Sequence, residues 1–160
     1  MNQTTDTVFT ALVKAELAGF KEFHQLLQQE QGALIKGDVD QLLRLADHKS
    51  GLVEKLAELN DQRSHHMNSV GCENSAPGIA AYFDAIKAQT ATRELWGELL
   101  NLVREVDQVN RSNGILINTR LLHNQQALSV LKSAANPGAS LYGPDGQISS
   151  AASGRRLDKA

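Results

Sequence analysis

Five histidines and one cysteine are the side chains of this sequence best suited to chemistry. His65, His66 and Cys72 form its metal-like grouping. Zinc sites space their ligands by two to four residues between cysteines and by three to five between histidines. Adjacent histidines on a helix point about 100° apart, and one cysteine is too few. The spacing predicts two solvated histidines near a helix end, where they suit the negative end of the dipole. As a nucleophile, Cys72 needs a base and an orienting partner. His65 or His66 offers the first, and nothing else in the chain suggests a pocket. The carboxylate pairs Glu54/Glu58 and Glu94/Glu98 sit at i, i+4, where like charges repel slightly. A di-metal bundle needs Glu-x-x-His motifs, and the sequence has none, nor a P-loop nor a Gly-x-Gly-x-x-Gly. The residues thus point to no cofactor or metal centre, and a metal-dependent bundle enzyme using His65, His66, Cys72 and neighbouring carboxylates is the weakest of the readings the sequence leaves open.

The elements that would position these residues are helical. All three prolines lie at or after Pro77, and the chain before it shows almost no strand-like alternation. A first helix is expected from about Thr5 to Lys36. Its stripe is Phe9, Leu12, Val13, Phe20, Phe23, Leu27 and Leu34, flanked by Leu17 and Leu26, at the mixed three/four step of a helix face. Glu16, Glu30 and Gln31 interrupt it. Gly37 suits a helix stop. Asp38 with Gln41 forms a capping-box-like pair and opens a second helix to about Val70. That helix repeats in triplets: Leu42/Leu45/Ala46, Lys49/Leu52/Val53, Leu56/Leu59/Asn60 and Arg63/His66/Met67. The last is half polar, which predicts a loose or exposed end. Gly71 stops it. Ser75 as a cap and Pro77 in the first turn open a short helix, Ala76 to Lys87, with Ile79, Tyr82, Phe83 and Ile86 on one face. It is either separate from the next helix or continuous with it.

A third long helix covers Thr92 to Ser133, extending roughly 63 Å against roughly 50 Å for the second. From Trp96, steps of three and four give Leu99, Val103, Val106, Asn110, Asn113, Ile117, Leu121, Asn124, Leu128 and Leu131. Three asparagines fall on a face that should be apolar, and Gly114 adds a weak point of about 1 kcal/mol relative to Ala. In a coiled-coil seam such residues specify register or partner at a cost in stability. Either Asn110 and Asn113 sit at the bundle surface through helix drift, or this helix is only partly covered there. Leu116, Ile117, Leu121, Leu128 and Leu131 are either core or teeth for another amphipathic helix. The fold class expected is all-α: an antiparallel bundle of three long helices over residues 1–133, with a short helix in the second connection. From Ala134 the chain turns Ala-, Ser- and Gly-rich. Residues 134–160 are expected to form a flexible, disordered tail.

The bulk numbers exclude several classes. Hydrophobic residues make up 41% and aromatics only 4%, so a core built from Leu, Val, Ile and Ala is expected. A net charge of −2 and scattered basic residues argue against nucleic-acid binding. One cysteine gives no disulfide framework and suits a reducing cytoplasm. No signal peptide and no run of roughly 20 apolar residues is visible, so membrane insertion is not expected.

Residues 76–147 carry a more specific signal. Arg93-Glu94-Leu95-Trp96, Leu99-Leu100, Glu105-Val106, then Asn110 through Ile117, Gln126-Ala127-Leu128-Ser129-Val130-Leu131 and Leu141-Tyr142-Gly143-Pro144-Asp145-Gly146 together resemble the C-terminal part of FlgN-type flagellar export chaperones. The first 70 residues agree only in helical, Gln- and Leu-rich texture. The resemblance implies a cytoplasmic type III secretion chaperone without enzymatic activity. It would bind the hook–filament junction proteins FlgK and FlgL and bring them to the export gate. Cargo binding would fall on Asn110, Asn113, Ile117, Leu121, Asn124, Leu128 and Leu131, and Tyr142 would contact the gate protein FlhA. The competing reading is a non-catalytic bundle adaptor that self-associates, for instance as a homodimer.

Overall fold

Long amphipathic stretches without proline dictate helix. The computed structural model describes residues 2–135 and contains α1 (Asn2–Lys36), α2 (Val39–Ser69), α3 (Ala76–Ala85) and α4 (Thr90–Ala135), with no strand among the described residues. The boundaries follow from capping. Gly37 takes the left-handed conformation (φ 77°), and its N–H and that of Asp38 donate back to the Ala33 carbonyl. This satisfies an end of α1 that would otherwise be orphaned. The Asp38 carboxylate then accepts from the Gln41 N–H at 2.9 Å and caps α2. Ser75 Oγ accepts from the Gly78 N–H at 3.2 Å to open α3. Lys87 at φ 53° breaks the chain between α3 and α4, so the two helices are separate. α4 begins two residues before the expected Thr92 and ends two after Ser133, ordinary scatter at a helix end.

Residues Met1–Ile117 form one compact unit. Its core has two clusters. Phe9, Val13 and Leu17 of α1 meet Met67 of α2, Ile79, Tyr82 and Phe83 of α3, and Leu99 of α4. Phe23, Leu26, Leu27 and Ala33 of α1 meet Leu45 and Leu52 of α2 and Val106 of α4. Phe9 is the hub of the first, with ring centroids 5.1 Å from Tyr82 and 5.4 Å from Phe83, the latter edge-to-face. The half-polar end of α2, expected to be loose, is closed instead. Met67 is fully buried and Arg63 nearly so, because α3 packs its apolar face against Met67 while Trp96 of α4 and Glu16 of α1 meet the Arg63 guanidinium.

Side-chain pairs fix how the helices run. Glu16 meets Arg63, Glu22 meets Lys55 and Glu30 meets Lys49: numbers rise in α1 as they fall in α2. Between α1 and α4 the numbers rise together, from Thr10–Thr92 through Lys21–Glu98 to Glu30–Asn113. A methyl group on Gly19 would stand 2.9 Å from Leu56 Cδ2, so α1 and α2 approach closely there. The second compact unit begins at Asn118. Its described part, residues 118–135, is helical throughout and every residue in it is exposed. No helix among the described residues is long and apolar enough to cross a membrane.

Candidate partner-binding helix

The buried face of α4 repeats every seven residues as Thr92, Leu99, Val106 and Asn113. Asn113 has no exposed surface. Its Nδ2 donates to the Leu27 carbonyl and to Glu30 Oε2, each at 2.8 Å, while its Oδ1 accepts from no described residue. An unpaired buried acceptor costs about 1–3 kcal/mol, and the bond to an ionised carboxylate offsets part of that. Lys49 Nζ reaches the same carboxylate at 3.0 and 3.1 Å and also donates to Asn110 Oδ1 at 2.9 Å. A polar knot of Glu30, Lys49, Asn110 and Asn113 therefore ties α1, α2 and α4 at one level. A second knot lies at the level of Trp96. Arg63 Nε donates to Glu16 Oε1 at 2.7 Å, its other nitrogens donate to Asn60 and Asn74, and its guanidinium lies 5.1 Å from the Trp96 ring centre. Buried polar contacts of this kind punish a shifted register, since any slip leaves charge unpaired.

The expected site residues thus divide. Asn113, expected on a partner-binding face, is inside the first unit; α1 extends far enough to cover it, and its amide is engaged by Leu27 and Glu30. Asn110 is exposed and held by Lys49. Leu116 is half-buried, and the remaining seam residues are exposed: Ile117 at 44%, Leu121 at 54%, Leu128 at 56%, Leu131 at 64%, and Asn124 between them. Among the described residues, these four apolar teeth belong to neither core cluster. Tyr142 lies outside the described residues. Pattern reading missed Glu30, Lys49, Glu16 and Arg63 as a set. The signal was present: the acids stand two heptads apart in α1 and the bases two heptads apart in α2, the register that pairs them when the helices run in opposite senses.

The grouping that suggested chemistry is scattered. His65 is exposed, and Cys72 is half-buried and free. His66 lies against Tyr82, with Nε2 3.4 Å from the phenol oxygen, and burial lowers its pKa below the ordinary value. Among the described residues no three His, Cys, Asp or Glu side chains are placed to hold a metal ion.

A bundle with polar knots inside and a leucine seam left open is the geometry on which the comparisons with known proteins bear. The family model described as FlgN protein matches residues 1–150. The chain belongs to the FlgN family. Relatives named flagella synthesis protein FlgN include one from Salmonella typhimurium, 32% identical over 126 residues that cover 78% of each chain. One from Proteus mirabilis is 27% identical over 135 residues, 82% of this chain and 84% of the relative. One from Yersinia enterocolitica is 29% identical over 131 residues, 79% of each. No solved structure matches. The relatives are named for flagella synthesis, and the family match spans both the knots and the seam.

Proposed function

We propose that this chain is a cytoplasmic export chaperone of the flagellar type III secretion system. It binds the hook–filament junction proteins FlgK and FlgL by their terminal helical segments and delivers them to the export gate through FlhA. The observation that carries the reading is the exposed apolar seam of α4, Ile117, Leu121, Leu128 and Leu131 around Asn124. Teeth at this spacing suit an amphipathic helix laid along them. In this reading the three long helices form an up-down-up antiparallel bundle with α3 in the second connection. Residues 1–133 serve as the folded body and 134–160 as a tail that carries Tyr142 to the gate. The reading assigns no catalytic residue and no cofactor.

Size-exclusion chromatography with light scattering tests it, on the purified chain alone and mixed with FlgK or FlgL. A complex is expected, lost when the cargo's terminal helix is deleted and lost in a Leu121→Asp/Leu128→Asp variant. Both leucines are more than half exposed, so that variant should keep its melting temperature. Unchanged cargo affinity in the folded variant would sink the seam as the site. The same exposed seam also suits a second copy of the chain; a stable homodimer with no cargo complex would favour the self-associating adaptor.

A further inference from the structure

α2 and α4 both pack on α1, and the space between them is only partly filled. Arg63 meets Trp96 and Lys49 meets Asn110, so numbers fall in α2 as they rise in α4. α3 fills one end of the gap: Tyr82 lies against His66 of α2, and Phe83 and Asp84 lie against Arg93 of α4. Beyond α3 the gap stays open. A hollow of about 300 Å³ has Phe20 of α1 as its floor, with Leu56 and Asn60 of α2 on one wall and Leu100 and Val103 of α4 on the other. A second hollow, of about 440 Å³, lies at Ala46, Ser50 and Val53 of α2 beside Glu30. At about 100° per residue Ala46, Val53, Ala57 and Asn60 form the edge of α2 next to Lys49. That edge points away from His48 and Lys55, which reach Glu22 of α1. Val53 is 50% exposed and Leu100 36%, and Ala46 and Ala57 are exposed. The outer lip of α2 is charged. Asp47, Glu54 and Asp61 stand seven residues apart, each one position after Ala46, Val53 and Asn60, and all three are exposed. None of them has an ion pair among the described residues. On the lip of α4, Arg111 is paired with Asp107 and Arg104 donates to Asn101 Oδ1.

We propose that the groove between α2 and α4 takes an amphipathic helix of a protein partner, with bulky apolar teeth in the hollows and a row of lysine or arginine lying on Asp47, Glu54 and Asp61. A helix is the form that fits, since α3 already seats its Tyr82–Phe83 face between the same two helices. The stretch from Ala46 to Asn60 is about 20 Å long at 1.5 Å per residue, room for about four helical turns. The α2 wall is small at Ala46, Ser50 and Ala57, which leaves the bulk for the partner to supply. Acids at heptad spacing beside an apolar strip select a basic helix edge and repel an acidic one. The same row repels phosphate, which sets nucleic acid and anionic lipid aside. The groove uses none of Ile117, Leu121, Leu128 or Leu131, so it is a second surface beside the one assigned to cargo.

The test uses the full chain and three labelled synthetic amphipathic peptides. The first has a leucine seam flanked by Lys, the second has Glu in place of every Lys, and the third keeps the lysines and changes the seam leucines to Ala. Fluorescence anisotropy should show the first binding about tenfold tighter than the second at low salt, with most of that advantage lost near 0.5 M salt. The third should not bind. Glu54→Lys/Asp61→Lys should reverse the preference. Ala57→Trp fills the groove without touching a charge and should weaken the first peptide about tenfold or more. All three positions are exposed, so both variants should keep their melting temperature. FlgK and FlgL are measured against the same variants and against Leu121→Asp/Leu128→Asp. The expected result is peptide binding lost only in the groove variants and cargo binding lost only in the seam variant. Equal binding of the first two peptides, no response to either groove variant, no binding of any peptide, or peptide binding lost in the seam variant overturns the proposal. So does self-association of the chain alone that Glu54→Lys/Asp61→Lys abolishes, since the occupant is then a second copy.

Discussion

Removing one partner of the Glu16–Arg63 pair should harm the fold far more than removing both. The pair is 2.7 Å apart with side-chain exposures of 3% and 11%. Breaking a buried pair from one side costs about 3–5 kcal/mol, because a charge is left behind, whereas replacing both partners by apolar residues of similar size is often neutral or better. The structure ranks the two single variants. In Glu16→Leu the orphaned guanidinium keeps Asn60, Asn74 and the Trp96 face, which points to about 3 kcal/mol. In Arg63→Met the Glu16 carboxylate is left nearly fully buried, which points to about 4–5 kcal/mol. For a chain of this length about 1 kcal/mol moves Tm by roughly 2–4 °C. The singles should therefore melt roughly 6–20 °C low, Arg63→Met lowest. The double variant should fall within about 1 kcal/mol of the native chain. Thermal and urea unfolding followed by circular dichroism measure all four members of the cycle. Single variants that each cost under about 1 kcal/mol, or a double variant as unstable as the two singles combined, would refute the reasoning.

Burial holds His66 below its ordinary pKa of 6.5, so the unfolded chain takes up that proton first as pH falls. Stability should drop from about pH 6.5 downward to the lower folded value. Between about pH 7.5 and 5.5, Tm of His66→Gln should fall less than that of the native chain; equal falls would remove His66, and its contact with Tyr82, as the cause. Asn113→Asp sets a second carboxylate against Glu30 and should cost about 3 kcal/mol or more. Asn113→Leu loses two hydrogen bonds but also the unpaired Oδ1, and should stay within about 1 kcal/mol of native by urea titration. Gly114→Ala meets nothing within 4 Å of the added carbon and should stabilise by about 1 kcal/mol. Gly78→Ala runs that carbon into the Glu73 carbonyl and should destabilise by about 1–3 kcal/mol. Melts that rank these two glycine variants the other way would contradict the backbone geometry at both sites.

Local chemistry made the helix ends legible: Gly37–Asp38 and Ser75–Pro77 each act over a few residues, and the structure places the caps there. Depth was not legible. Asn110 and Asn113 share a face by period, yet one is exposed and the other has no exposed surface. Which is covered depends on where α1 ends and how far Lys49 reaches. The half-polar end of α2 read as loose because Tyr82 and Phe83, which close it, come from a different helix. Glu16 and Glu30 read as interruptions of a stripe because a hydrophobic pattern scores each helix alone. Only by laying α1 against α2 do they become half of two matched pairs.

The same polar chemistry has opposite consequences at the two levels of α4. Around Asn113 the amide is covered by the chain's own α1, and its cost falls on the stability of the fold. Around Asn124 the amide faces water, costs the free chain nothing, and matters only when something covers it. Ile117, Leu121, Leu128 and Leu131 are already about half covered. A partner therefore gains about 1 kcal/mol from completing the burial of each. Equal teeth on the partner helix would roughly double this, which still only reaches the lower part of the roughly 4–15 kcal/mol that association costs. Leucines alone would thus give a loose complex with any amphipathic helix. Tightness and choice must come from groups that reward one register, which is what the Asn124 amide can do. On the proposed chaperone reading, a holder built this way grips a matched helix and loses it when the register is disturbed, which suits a cargo that must be released.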